Sequence, residues 1–369
     1  MRMIKKSFLA VLAALALAAA WPAAAVERVI QVELDSIDAP QAAKLRVTNL
    51  AGSVQIVPGD KARLRATVRA ESERIANGVR LEQDRDGDTR SYTIQLPDGL
   101  DEVRFEDEQF RRLDVRLEYE GERVRVRGNG GEPLRVDIEL ELPAGSMLDL
   151  RQGVGDISAA GVDADLNLSL NYGRIRAMDG QGALVAVTRA GDMDISSQRG
   201  QLDARSGSGD LRIENVLGTS RARTGSGDIM LRGADGDMQV ETGSGDLELG
   251  DVIGSLRART GSGDVEIRNL GAGAQLDIAT GSGDVEADGD LGALRDVTIR
   301  TGSGDVDLRS TEPLSLRLSL GTGSGSIKVD VPVMGDVESG RRSFRATIGA
   351  GEGEARINTG SGDIYIKAP

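Results

Sequence analysis

An aspartate closes the same five-residue motif again and again: Ser206 to Asp210, Thr224 to Asp228, Thr242 to Asp246 and Thr260 to Asp264 all read Thr/Ser-Gly-Ser-Gly-Asp, with the Asp at every eighteenth position. Carboxylates at fixed spacing admit three chemistries: metal ligation, paired acid–base work on a glycosidic bond, and hydrogen-bond capping of turns. A phosphate loop is excluded, because Gly-Ser-Gly-Asp puts a carboxylate where the anion would sit and supplies neither Lys nor a following helix. The chain holds no His and no Cys, which removes serine and cysteine triads, thiolate chemistry and the usual zinc sites. Paired-carboxylate hydrolysis is the remaining enzymatic option. Against it, the aspartates recur once in every motif as a structural element does, and sugar-stacking aromatics are sparse and scattered.

Calcium is the metal to weigh. Nonapeptide calcium coils carry Gly-Gly-x-Gly-x-Asp at both turns of each coil, whereas here the alternate turns offer Ala183, Gln201, Thr219, Asp237 and Ser255 at the corresponding place. The favoured reading is that each Asp accepts hydrogen bonds from N–H or hydroxyl groups of its own turn. The stretch 84–88, Asp-Arg-Asp-Gly-Asp, has its Gly fourth instead of sixth and Gln95 where an EF-hand needs its bidentate Glu, so a hairpin turn is expected there. No cofactor or metal is expected. The second chemically notable column is basic: Arg205, Arg223, Glu241, Arg259, Ala279, Arg300, beside Asp203, Arg221, Gln239, Arg257, Asp277, Thr298. Arg205, Arg223, Arg259 and Arg300 form a candidate binding face for an anionic macromolecule such as an envelope polysaccharide, and also serve to keep a sheet face solvated.

These columns need an element that repeats. Glycines stand nine residues apart from Gly173 through Gly182, Gly191, Gly200, Gly209, Gly218, Gly227, Gly236, Gly245 and Gly254 to Gly263, and apolar pairs spaced i, i+2 keep the same period, as in Met193/Ile195, Ile229/Leu231 and Leu247/Leu249. Only Ser220 breaks the apolar rule. An i, i+2 pair is one face of a short strand, and a glycine before it supplies a cheap turn. The turn chemistry alternates, with Gly209–Asp210, Gly227–Asp228, Gly245–Asp246 and Gly263–Asp264 at every second turn, so one coil is two of the nine-residue steps and holds two strands. A hexapeptide helix would need an apolar mark every six residues. The fold class is therefore all-β, a parallel β-solenoid of two stacked sheets, with a right-handed wind expected from the usual hand of parallel connections. About eleven coils are expected after residue 145. The spacing then drifts through 280–284, 301–305 and 322–326 to 359–363, which implies turn insertions and one excursion at 331–354.

Residues 1–25 read as a secretory signal peptide: Arg2, Lys5 and Lys6, an apolar run at 8–21, then Ala23 to Ala25. No later segment is apolar enough to span a membrane, so an exported protein of the periplasm or exterior is expected. Residues 26–145 read as an irregular β region that begins the solenoid, with strands expected at 45–47, 54–56, 62–70, 79–83, 92–96, 113–119, 124–127 and 134–142. The charged, nonperiodic stretch 105–112 reads as an exposed loop or short helix. Residues 146–369 form the regular solenoid. Formal net charge is −14, and an acidic chain of mixed-sign columns is a poor nucleic-acid binder.

The Thr-Gly-Ser-Gly-Asp repeats, the opening 47–54, Glu141-Leu142-Pro143 before the coils and the closing 362–366 resemble the bacterial putative-adhesin family of exported β-solenoids. The resemblance covers nearly all of the chain after the leader. It implies a fold and an adhesin-like binding or scaffolding role at the cell envelope, and brings no catalytic residues with it. The competing functional readings are a calcium-dependent repeat module and a carbohydrate-active β-helix enzyme.

Overall fold

A computed structural model of the protein describes residues 26–34, 44–271, 275–292 and 294–369; the expected signal peptide lies outside the described residues. The chain is a β-solenoid. Each coil contributes one strand to each of two long sheets, and up to Asp296–Thr301 each strand pairs in parallel with the strand one coil on. In the sheet that precedes the aspartate turns the inward register runs Leu202↔Ser220↔Met238↔Leu256. In the sheet that follows them it runs Leu211↔Ile229↔Leu247↔Val265. We call these the arginine sheet and the aspartate sheet. Alternation sends the i, i+2 partners inward, and Leu202, Ala204, Leu211, Ile213, Ile229 and Leu231 are all buried at 0–1% exposure, so the core is a thin ribbon between the sheets.

Eleven such coils follow residue 145 among the described residues, from Ser146–Val154 with Ile157–Ala160 to Gly353–Thr359 with Ile364–Lys367. The strands are longer than the apolar pairs alone suggest: Leu211–Leu217 and Ile229–Asp235 each run on past their pair to bury a third residue, Val216 or Ala234. That extension passes a left-handed residue at the same place in successive coils, at Asp179, Ser197, Asn215, Gly233, Asp251 and Asn269, with φ between +53° and +66°. The column is filled by residue types that tolerate this conformation.

The first coil, Lys44–Ala51 with Val54–Pro58, stacks directly on Ser146–Val154 and Ile157–Ala160, so the interrupted start anticipated from its spacing is present. Asp149, only 3% exposed although it points outward, pins this junction through Arg46 Nε at 3.0 Å and Lys44 Nζ at 3.8 Å. The intervening residues extend both sheets past the first coil. Glu132–Leu142 runs parallel to Val54–Pro58, Arg63–Ala70 runs antiparallel to it, and Val26–Glu33 closes that edge. On the arginine sheet, Thr89–Gln95 pairs with Lys44–Ala51 and turns through Gly87 into Arg80–Asp86, which confirms the hairpin at 84–88. The outermost strand Arg80–Asp86 is almost wholly exposed and charged, as an edge that must not recruit another chain should be.

Three departures from expectation are local. Glu73–Gly78 is a one-and-a-half-turn helix capped by Ser72, whose hydroxyl accepts the Ile75 N–H. The stretch 105–112 contains a 3₁₀ turn, Glu108–Phe110, but Phe105 is not exposed: it is buried at 1%, against Phe110 and beneath the Arg135 guanidinium. The final coil does not lie at the end. Gly353–Thr359 pairs on one side with Asp296–Thr301 and on the other with Leu316–Thr322, so the last strand pair of the chain is inserted between two earlier coils. The excursion at 331–354 forms the hairpin Val333–Ser339/Ser343–Ile348, which closes the arginine sheet antiparallel to Leu316–Thr322.

Candidate functional site: the turn ladder and the arginine face

The aspartate turns stack into a ladder whose rungs are hydrogen bonds between coils. The N–H of Asp228 donates to Asp210 Oδ1 at 2.9 Å, that of Asp246 to Asp228 at 2.8 Å, and that of Asp264 to Asp246 at 2.9 Å. The series continues through Asp284 and Asp305 to Asp363, and Ser326 N–H takes the last carboxylate. Backbone capping is thus the role of these aspartates, with one correction: the donor belongs to the turn of the next coil, not to the same turn. Parallel stacking causes this, because a turn that closes a parallel ladder leaves its N–H aimed along the rod axis. Ser326 lowers the pKa of Asp363, chiefly through its backbone N–H and then through its hydroxyl.

Beside the aspartates runs a buried threonine column. Thr224, Thr242 and Thr260 are 6–7% exposed, and each hydroxyl donates at 2.9 Å to a glycine carbonyl of the preceding coil, Gly209, Gly227 or Gly245. From Thr260 onward the same hydroxyl also accepts a glycine N–H of its own turn, that of Gly263 at 3.1 Å in the first case. The glycines are required by the approach of successive turns: a Cβ on Gly245 would lie 2.0 Å from the Gly227 carbonyl oxygen, and one on Gly263 1.9 Å from that of Gly245. Gly209 adds a φ of +142°. These turn residues are structural, and among the described residues no three carboxylates converge as a metal site would need.

The predicted arginine column is present and points outward: Arg205↔Arg223↔Glu241↔Arg259↔Ala279↔Arg300 are neighbours in register. What the one-dimensional columns left out is that acidic side chains on the same face pair with every one of the four. Arg205 meets Asp203 at 2.5 Å, Arg223 meets Glu241 at 3.1 Å, and Arg259 and Arg300 reach Asp277 at 3.5 and 3.9 Å, where Arg257 also binds at 3.0 Å. The arginines are half-exposed, so each pair contributes little stability and stays able to exchange partners. The face carries charges of both signs held in ion pairs.

A shallow groove of about 300 Å³ flanks these pairs, along the corner where the looser turns enter the arginine sheet. Leu202, Ser220, Met238 and Leu256 of one inward column line it, and its walls carry Asp203, Arg221, Gln239, Arg257 and Asp277 at coil spacing. Ser220 Oγ is buried with no hydrogen-bond partner. Elsewhere, the bidentate Asp114–Arg125 pair depresses the Asp114 pKa, first through the hydrogen bond from Arg125, and burial raises that of Tyr119. Asp114 and Tyr119 stand at opposite ends and on opposite faces of one strand, Asp114–Tyr119, so they are not gathered as acid and base.

Residues 44–367 match the family model described as Toastrack DUF4097. The chain belongs to this family. The resemblance drawn from the repeats and from the opening and closing motifs is met at this level, as a β-solenoid family of undefined function. No curated protein matches the Toastrack chain. Three crystal structures resemble it: a putative cell adhesion protein from Clostridium sporogenes ATCC 15579 at 11% identity, a putative lipid binding protein from Parabacteroides distasonis ATCC 8503 at 10%, and a putative adhesin from Bacteroides fragilis NCTC 9343 at 10%. They cover 94%, 92% and 93% of this chain and 100%, 97% and 97% of their own, with TM-scores of 0.17, 0.37 and 0.28. At those scores they carry nothing about ligand or role. Among the described residues no helix is long and apolar enough to cross a membrane.

Proposed function

We propose that this Toastrack protein is exported and acts without catalysis as an adhesin-like binding or scaffolding rod of the cell envelope, in the periplasm or outside the cell. The observation that carries the reading is the arginine sheet: the ion pairs Arg223–Glu241 and Arg259–Asp277 recur two coils apart beside a groove that crosses several coils. A periodic, hydrated, charge-paired surface suits a linear polymer that makes the same contact at each step, and an envelope polysaccharide or another surface macromolecule is the partner class. Residues 26–145 would cap the rod and 146–369 would present its length. The apolar leader at 8–21 with its basic start supports export.

The test is binding of envelope polysaccharide by the full chain and by the Arg223→Ala/Arg259→Ala variant, with circular dichroism confirming the fold. The double variant should bind several-fold more weakly and show a flatter salt dependence. Unchanged binding by the folded variant refutes the arginine face. A calcium-dependent module predicts instead that chelator alone abolishes binding, and a carbohydrate-active enzyme predicts that the polymer is shortened.

A further inference from the structure

The inserted terminal coil sits between two coils that are built to face one another. Gly353–Thr359 and Ile364–Lys367 separate the coil of Asp296–Thr301 and Val306–Ser310 from that of Leu316–Thr322 and Ile327–Asp330. Across that gap the outward residues in common register are Asp296 and Arg317, Asp307 and Lys328, Arg309 and Asp330. All three pairs are of opposite charge. With the terminal coil in place, two of them are replaced on one side by like charges, Asp296 beside Glu354 and Arg309 beside Lys367. Like charges directly opposite on neighbouring strands are unfavourable, and opposite ones favourable.

The interior and the turns match as well. Val297 and Ile299 would align with Leu318 and Leu320, Val306 and Leu308 with Ile327 and Val329, and Thr322 with Thr301. Asp305 Oδ1, which now takes the Asp363 N–H, would take that of Ser326. If the terminal coil left, the gap could therefore close without leaving either edge unpaired, which lowers the cost of leaving. The inserted arrangement retains two advantages. It buries Ala355, Ile357, Ile364 and Ile366 at 0–1% exposure, and it gives the Asp363 N–H a carboxylate, which Ser326 could not supply if the coils stacked in chain order. The joint before the coil contains Gly349 and Gly351, both at positive φ, while the preceding hairpin stays anchored on Leu316–Thr322.

We propose that Gly353–Lys367 is an exchangeable strand pair, and that the slot between the coils of 296–310 and 316–330 accepts the same segment from a second copy of this chain. Exchange of an identical element needs no new surface, only a hinge and two states of similar energy. The occupant's register, its turn bonds and its apolar pairs are those already present within one chain.

The absence of cysteine makes the test clean. Arg300 and Asn358 are outward, exposed and neighbours in register, within disulfide reach for adjacent strands. Two full-length single variants, Arg300→Cys and Asn358→Cys, are mixed reduced, incubated, and then oxidised. Exchange joins residue 300 of one chain to 358 of another, and a covalent mixed dimer accumulates with incubation time. The control mixes Asp235→Cys with Ile253→Cys, likewise two exposed neighbours in register, in coils that are not inserted. The proposal requires several-fold more mixed dimer from the 300/358 mixture than from the control. Equal yields overturn it, since random collision affects both mixtures alike.

Discussion

Replacing Asp246 by Asn and by Ala separates the two things its carboxylate does. Oδ1 accepts the Asp264 N–H at 2.9 Å, and the charge stands one strand spacing from Asp228 and Asp264. A hydrogen bond to a neutral acceptor contributes about 1 kcal/mol, somewhat more to a charged one. Two like charges at about 4.8 Å cost roughly 0.9 kcal/mol each in water, and physiological salt screens about half of that. Asp246→Asn keeps the acceptor and removes the repulsion, so it should be neutral, or stabilising by about 0.5 kcal/mol at low salt. Asp246→Ala also loses the acceptor and should fall about 1 kcal/mol below Asn at any salt concentration, because neither variant is charged there. A long repeat rod need not unfold in one step, so the assay is amide hydrogen exchange at residue 264. Exchange should be about fivefold faster in the Ala variant than in the Asn variant. Equal exchange in the two refutes the ladder bond. If calcium protects the wild-type amide and neither variant responds, the aspartates hold cations and the capping account fails.

The threonine column gives an internal comparison: Thr242→Val strands the Gly227 carbonyl, costing about 1 kcal/mol, whereas Thr260→Val strands both the Gly245 carbonyl and the Gly263 N–H, costing about twice that. Urea melts of the two variants should rank in that order, and the reverse order would show that the second bond is not formed in solution. Acid should loosen the terminal coil. The Asp363 pKa is lowered by the Ser326 N–H and hydroxyl, so the stabilisation is present above the unfolded value of about 4 and is lost as pH falls through the lower folded value. Asp363→Asn should flatten the acid limb of amide protection in Ile364–Lys367; an unchanged limb would place the acid sensitivity elsewhere.

Much of this was legible because a solenoid writes its geometry into its period. The pairs at 45–47 and 54–56 keep the nine-residue step, and they do form a coil, although the whole of 59–145 intervenes before the next one begins at Ser146. The nonperiodic elements were harder to read for a physical reason. The helix Glu73–Gly78 is too short to show a helical repeat, and only Ile75 and Ala76 enter the core. Phe105 is buried by contacts with Phe110 and Arg135 that a charged local sequence hides. The pairing of Arg223 with Glu241 and of Arg259 with Asp277 depends on how long side chains lean between coils, which a column of letters does not show.

Stacking order is the deepest of these cases. Every coil has the same strands and nearly the same turn, so the period alone allows coil 353–367 to lie after coil 316–330 or before it. Composition within columns is what distinguishes the two. The aspartate ladder uses one carboxylate for each coil added, so a coil stacked after Ser326 would, like the one stacked after Arg174, find no carboxylate for its turn N–H. The charges at 296, 307 and 309 point the other way, toward direct contact with 317, 328 and 330. A regular coil shows no such conflict: Asp210, Asp228 and Asp246 each pass the ladder to the next coil in chain order. Local and global preferences agree along the rod and disagree at its C-terminal end, and disagreement of that kind is where a fold of identical parts can hold two arrangements within reach of each other.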